Sequence, residues 1–205
     1  MIVGRISDTR TRLLETAIEL MYVRGYSAVG VQELCTRAGV NKGSFYYFFP
    51  SKRELALAVI DVYRQRMLDL WNDALTADYA PLERLRRTFE RTYEVHCGLM
   101  AVNGQMHGCP LGNLALELSC QDEEIRQRLC DTFADWIGMI DRLLRQAVAT
   151  GALPVIDTTT TAQTVVAYFE GVMMLAKTQN DLAVVTHLPH SVMALVRAAV
   201  QAPPR

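Results

Sequence analysis

The sequence predicts an all-α protein of about nine helices, and three observations support this prediction. Apolar residues recur at intervals of three and four over long segments, most clearly over residues 122–150, as the buried face of a helix requires. Two short helical patterns near the N-terminus flank Gly39, a residue that readily adopts a left-handed turn. Only the four threonines at 158–161 favour a strand, and the helical pattern that follows them outweighs so short a run.

The ends of several predicted helices are marked by particular residues. Pro110 suits a first helical turn, and Gly151 follows the helix that acidic residues open at 122–124. Residues 98–108, rich in Gly and Met, are predicted to be irregular. The predicted helices span residues 9–24, 31–38, 42–49, 52–75, 81–97, 110–118, 122–150, 158–177 and 191–201. We expect a three-helix head within residues 1–53 and a helical domain over residues 54–205.

The segment VQELCTRAGVNKGSFYYFFPSKR, residues 31–53, predicts a helix-turn-helix. Leu34 and Cys35 face a core, Gly39 makes the turn, and Asn41 caps the second helix, which Pro50 ends. That second helix opens with basic and small polar residues. Such a helix fits the major groove of DNA, with side chains at base edges and N–H groups at phosphates.

The run GVNKGSFYYFFPSK resembles the recognition-helix signature of the TetR family of bacterial transcriptional regulators, and the upstream Arg24-Gly25-Tyr26 fits the same register. Phe48 stands where the family usually has a histidine. The resemblance implies a DNA-binding regulator, and we expect a repressor of a palindromic operator that a small apolar or electrophilic effector releases. The expected DNA-contacting residues are Gln32, Asn41, Lys42, Gly43, Ser44, Tyr46, Tyr47 and Lys52.

The roles of these residues remain open in part. Lys42 suits a guanine edge or a phosphate, and Ser44 suits a base or a phosphate. Tyr46 suits either DNA contact or bracing of the helix, and Lys52 suits a phosphate.

Charge is unevenly distributed along the chain. Residues 1–53 hold eight Lys and Arg against four acidic residues, a net +4, whereas the remainder holds 13 against 18, a net −5. A basic head is typical of a DNA-binding module. No apolar run approaches the roughly 20 residues of a membrane span, and the N-terminus lacks a signal-peptide pattern. Five cysteines without a CxxC pair favour a reducing cytoplasm.

A second resemblance covers the C-terminal domain. HGCPLGNLALELS, Asp122-Glu123-Glu124 and the downstream GVMMLAK resemble a TetR subgroup that includes the N-ethylmaleimide-responsive repressor. The resemblance implies that Cys109 matches the sensing cysteine of that subgroup and that Lys177 matches the partner of its thiol.

Cys109 has two physical interpretations. It precedes a helix whose N-terminus favours the reactive thiolate, and Lys177 or His107 would add positive charge. Alternatively Cys109 is a small buried hydrophobe, the commoner fate of a free cysteine. Met106, Trp136 and Tyr168 likewise suit an apolar effector pocket or an ordinary core.

No cofactor or metal site is predicted, since no His or Cys spacing has motif quality. The competing functional hypothesis is a small thiol- or metal-dependent helical enzyme that uses Cys109 and His107. That hypothesis lacks a recognisable base and leaves the pattern from Lys42 to Tyr47 unexplained.

Two C-terminal helices predict a homodimer. On the helix from Thr158 to Lys177, Ala167 and Gly171 permit close approach of another helix, and the helix from Ser191 to Gln201 has an apolar face. The alternative is that these residues close the core of one subunit. A dimer is favoured because two-fold proteins read palindromic DNA.

Overall fold

The computed structural model describes residues 2–201. Within that part of the chain the structure is all-helical and contains ten α-helices, one more than the predicted number. They are α1 (Ile2–Arg24), α2 (Val31–Ala38), α3 (Lys42–Phe48), α4 (Lys52–Thr76), α5 (Pro81–Asn103), α6 (Pro110–Leu118), α7 (Glu123–Ala149), α8 (Thr158–Gln179), α9 (Ala183–Thr186) and α10 (Leu188–Gln201).

Several predictions about the helices are wrong. The first helix begins at Ile2 rather than at residue 9, and the last begins at Leu188 rather than at residue 191. The segment after residue 97 was expected to be irregular, yet α5 continues through Gly98 and ends only at Gly104, whose φ is 68° and whose N–H donates to the Met100 carbonyl at 2.8 Å. A glycine inside a helix costs about 1 kcal/mol, which packing readily offsets. The four-residue α9 is missing from the prediction because so short a helix has no periodic pattern.

The chain divides into two compact units. The first unit comprises residues 2–65 and Pro110–Cys130; the second comprises Arg66–Cys109 and residues 131–201. α4 and α7 each contribute residues to both units. The functional boundary after residue 53 stays a prediction.

The first unit is built around the mutual packing of α1, α2 and α3. Leu13, Leu34, Phe45 and Leu55 are fully buried there. The apolar residues of α1 recur at helical spacing and form its buried face. Because α3 packs against α1 and α2 through Phe45, the side of α3 that carries Tyr46 and Tyr47 faces outward.

The second unit contains α10 packed against α5 and α8. Trp71, Phe89, Trp136 and Phe169 form an aromatic cluster with ring centroids 5.4–6.1 Å apart. The Trp71 indole N–H donates to the hydroxyl of Thr92 at 3.0 Å, which satisfies one polar atom in this core. No helix in the described residues has both the length and the hydropathy to cross a membrane.

Candidate nucleic-acid interface and effector site

The turn between α2 and α3 has the conformation that the sequence predicts. Gly39 adopts a left-handed φ of 65°, and its N–H donates to the Thr36 carbonyl at 3.2 Å. Asn41 caps α3, because its side-chain oxygen accepts a hydrogen bond from the Ser44 N–H at 2.7 Å. Phe45 points into the core with 0% exposure and fixes the orientation of α3.

The outward face of α3 carries most of the expected DNA contacts. Tyr47 is 74% exposed and Tyr46 is 52% exposed, although each ring also packs edge-on against a phenylalanine. Lys42 and Gly43 are exposed at the N-terminal turn, and Ser44 is half-buried behind them. Gln32 and Asn41 are also exposed. We call the α3 residues among these, Lys42, Gly43, Ser44, Tyr46 and Tyr47, the α3 face. The contacts of all the expected residues with DNA stay a prediction.

Lys52 has a more specific environment than the sequence indicates. Its ammonium lies 4.0 Å from the centroid of the Tyr26 ring, a cation–π contact. Burial lowers the pKa of Lys52, and the negative charge of Glu117 partly opposes that effect. The phosphate contact expected of Lys52 remains a prediction.

Glu117, which the sequence analysis did not select, connects α6 to the loop after α1. Its carboxylate accepts hydrogen bonds from the backbone N–H groups of Tyr26 at 2.8 Å and Ser27 at 2.7 Å. Gly25 permits this approach: its φ is +83°, and a Cβ there would lie 3.0 Å from the Glu117 Oε2. We call this arrangement the Glu117 clamp. It lies wholly within the first unit.

A second set of contacts joins α4 to the start of α7. Arg53 pairs with Asp122 at 2.8 Å and with Glu124. Arg128 pairs with Asp61 at 2.5 Å. All these residues belong to the first unit, so α6 and the first turns of α7 are part of the same compact unit as the three-helix head.

In the second unit, Cys109 lies in a buried loop and is 4% exposed. Its thiol is hydrogen-bonded to the carboxyl group of Glu170 on α8. Burial raises the pKa of Glu170 to about 7, and the bond from Cys109 opposes that rise. The Glu170 Oε1 is buried without a hydrogen-bond partner. Glu170 was missed by the sequence analysis.

The loop that carries Cys109 runs along one face of α8. A Cβ on Gly108, which has a φ of +77°, would lie 3.3 Å from both the Lys177 Cδ and the Met173 carbonyl oxygen. The Lys177 stem thus lies against the residue next to Cys109. Burial lowers the pKa of His107, and the positive charge of Lys177 lowers it further. The predicted partnership between the Lys177 amine and the Cys109 thiol stays a prediction.

The other expected effector residues differ in environment. Met106 is buried, and its N–H donates to the Asn180 side-chain oxygen at 2.9 Å. Trp136 has 0% exposure, and its indole nitrogen is buried without a hydrogen-bond partner. Tyr168 is half-buried. Among the described residues no group of three His, Cys, Asp or Glu side chains is arranged to hold a metal ion.

A capped recognition helix with a buried anchor and an accessible outer face defines a helix-turn-helix DNA-binding protein. The comparisons agree. Residues 13–59 match the model of the bacterial regulatory proteins of the tetR family, and residues 81–192 match the tetracyclin repressor-like C-terminal domain. The chain belongs to the TetR family of transcriptional regulators.

Several relatives extend this comparison. An uncharacterized HTH-type transcriptional regulator of Lactococcus lactis is 31% identical over 90% of this chain and 91% of its own. The transcriptional regulator AcuR of Cereibacter sphaeroides is 37% identical over 69% of this chain and 63% of its own length. The repressor NemR of Escherichia coli is 30% identical over 69% of this chain and 64% of its own.

Solved structures show the same fold. A TetR regulatory protein from Rhodobacter sphaeroides superposes with a TM-score of 0.79 at 30% identity, covering 91% of this chain and 96% of that one. The reduced form of Escherichia coli NemR gives a TM-score of 0.74 at 24% identity, covering 92% of this chain and 97% of that one. The family and these relatives are transcriptional regulators, not enzymes, which excludes the thiol- or metal-dependent enzyme hypothesis.

Proposed function

We propose that this DNA-binding regulator represses transcription from a palindromic operator and that the α3 face reads the operator. The observation that supports this most directly is the arrangement of α3. Phe45 is fully buried, so Lys42, Tyr46 and Tyr47 lie at the surface together. A regulator that binds an operator works where the chromosome is, so we place it in the bacterial cytoplasm.

We propose that the protein binds as a homodimer through α8 and α10, as is typical of the family. α8 has exposed residues at helical spacing, of which Ala167, Met174 and Leu175 are apolar. Such a stripe on a helix that also packs against α10 fits a two-fold helical interface. The expected segments are those from Thr158 to Lys177 and from Ser191 to Gln201.

DNA recognition is tested by fluorescence anisotropy with DNA that flanks the gene of this protein. We expect the Lys42→Ala, Tyr47→Ala double variant to bind its operator at least 10-fold more weakly, since a good base contact contributes about 1–3 kcal/mol. Tyr79→Ala is the matched control, because Tyr79 is a similarly exposed tyrosine (46%) in the second unit. Full operator affinity of the double variant at physiological salt would show that the α3 face does not contact the operator.

We also propose that a small apolar or electrophilic effector acts in the second unit. Met106, Trp136 and Tyr168 are the apolar candidates, and Cys109 with Lys177 is the reactive pair. The bond between Cys109 and Glu170 supports a chemical role for the thiol, since a core cysteine needs no carboxyl partner. Cys109→Ser tests it: a sensor loses its response to N-ethylmaleimide but keeps operator binding, whereas a core cysteine mainly loses stability.

A further inference from the structure

Glu170 is the only charged residue in the run 165–176, VVAYFEGVMMLA, which otherwise forms an apolar part of α8. A carboxyl group in such a setting requires an explanation, because burying it without full hydrogen bonding costs free energy. Its Oε1 is buried and has no hydrogen-bond partner. The only side chain that hydrogen-bonds to it in the described residues is the Cys109 thiol.

The surrounding backbone holds this pair in place. Glu170, Met173 and Lys177 are three and four residues apart on α8, so they lie on one face of the helix. Gly108 lies against Met173 and Lys177 on that face, which sets the next residue, Cys109, beside Glu170. The ring of His96 also forms a hydrogen bond with the backbone of Gly108. These contacts hold the backbone of Gly108, and so that of the adjoining Cys109, against the face of α8 that carries Glu170.

We propose that Glu170 is the proton acceptor for Cys109, taking the thiol proton as the sulfur adds to an electrophilic effector. This inference rests on the proposed role of Cys109 as the effector-sensing residue. It adds a residue that acts on the thiol directly. For an electrophile with an activated carbon–carbon double bond, such as N-ethylmaleimide, the step can be written in full.

The reaction balances without any further reactant. The Cys109 sulfur forms a bond to the β-carbon of the electrophile while the thiol proton moves to the Glu170 carboxylate. The π electrons of the double bond move onto the adjacent carbonyl, which becomes an enolate. Glu170 then returns the proton to the α-carbon, so that the net change is addition of S–H across the double bond. A base whose pKa is near the working pH suits both transfers, and burial places Glu170 there.

A kinetic comparison tests the inference. N-ethylmaleimide is added to the full chain, and peptide mass spectrometry follows each cysteine separately between pH 5.5 and 8.5. The exposed Cys120 is an internal reference in every sample. Glu170→Gln keeps a hydrogen-bond acceptor of the same shape but removes the base, Glu170→Asp keeps a carboxylate, and Glu94→Gln changes an exposed glutamate of the second unit. Operator binding verifies that each variant is folded.

At pH 7.5 we expect Glu170→Gln to slow Cys109 modification by at least 10-fold, since a positioned base contributes about 10²–10⁴-fold. Glu170→Asp should recover part of the rate, and Glu94→Gln should match the wild type. The wild-type rate should rise through about pH 7 and then level off, whereas the Glu170→Gln rate should keep rising toward the ordinary thiol pKa of about 8.5. Cys120 should behave identically in all four proteins.

Cys109 modification that is not slowed by Glu170→Gln would overturn the inference. A carboxylate beside a thiol also repels the thiolate, so faster modification in Glu170→Gln would show that Glu170 restrains Cys109, and an unchanged rate would show that Glu170 takes no part. In that case the sensor role of Cys109 survives if modification of the wild type still releases the operator. An unreactive wild-type Cys109, in contrast, would overturn both the sensor role and the proton transfer.

Discussion

The Glu117 clamp permits a quantitative prediction. Replacing Glu117 with Ala removes the acceptor for two backbone N–H groups, those of Tyr26 and Ser27. A hydrogen bond to a charged group contributes about 1.5–3 kcal/mol, and water replaces part of what is lost because Ser27 is exposed. We therefore expect local opening of this loop to become easier by about 2–3 kcal/mol.

Amide hydrogen exchange measures that opening residue by residue. A change of 2–3 kcal/mol corresponds to roughly 30- to 150-fold faster exchange at Tyr26 and Ser27. Glu117→Gln retains a neutral acceptor, and neutral bonds are about half as strong as charged ones, so its effect should be about 10-fold. Glu124→Ala is the matched control, since it removes an exposed carboxylate of the same unit that pairs with Arg53.

The charge of Glu117 also sets a pH dependence. Burial would raise the pKa of Glu117, but its hydrogen bonds to Ser27 and Tyr26 and the charge of Lys52 lower it below the ordinary 4.5. The protection of both amides should therefore be complete above pH 4.5 and decline as the pH falls further. Exchange at Tyr26 and Ser27 that is equal in wild type, Glu117→Ala and Glu124→Ala would refute the clamp.

Three further predictions concern the second unit. Burial raises the pKa of Glu170 from 4.5 to about 7, so ionisation of Glu170 destabilises the fold as the pH rises through that range. In thermal unfolding, Glu170→Gln should therefore be more stable than the wild type at pH 8, by at most about 3 kcal/mol, and about as stable at pH 4.5. Gly108→Ala should lower the unfolding temperature and disturb the Cys109 loop, because both its φ of +77° and the atoms 3.3 Å away oppose a Cβ. Gly98→Ala is the control and should not lower the unfolding temperature, because Gly98 lies inside α5 and nothing lies within 4 Å of a Cβ there. Asp157→Ala should cost about 1 kcal/mol in urea unfolding, since Asp157 caps α8 by accepting from the Thr160 N–H at 3.0 Å.

The sequence predicts those parts of the structure that depend on near neighbours in the chain. Gly39 and Asn41 mark the ends of α2 and α3, and the spacing around Phe45 separates the buried face of α3 from Tyr46 and Tyr47. Each of these features follows from the conformation of one helical turn or less.

The features that the sequence analysis missed depend on distant partners. Glu117 is 91 residues from Tyr26, and the acceptance of two backbone N–H groups over that separation has no local pattern. A partial signal exists at Glu170, since a single carboxylate within a long apolar run indicates a specific partner. α5 passes through Gly98 because packing against α10 outweighs local propensity.

The membership of α6 in the first unit affects how such regulators can be recombined. A chimera that exchanged only residues 1–53 for the head of another regulator would keep Glu117 but replace the Gly25–Ser27 loop that it holds. The Glu117 carboxylate would then depend on two backbone N–H groups from a donor head that was never selected to match it. Transfer of DNA specificity should therefore succeed more often when Pro110–Cys130 and the head are exchanged together, so that both segments come from the same donor protein.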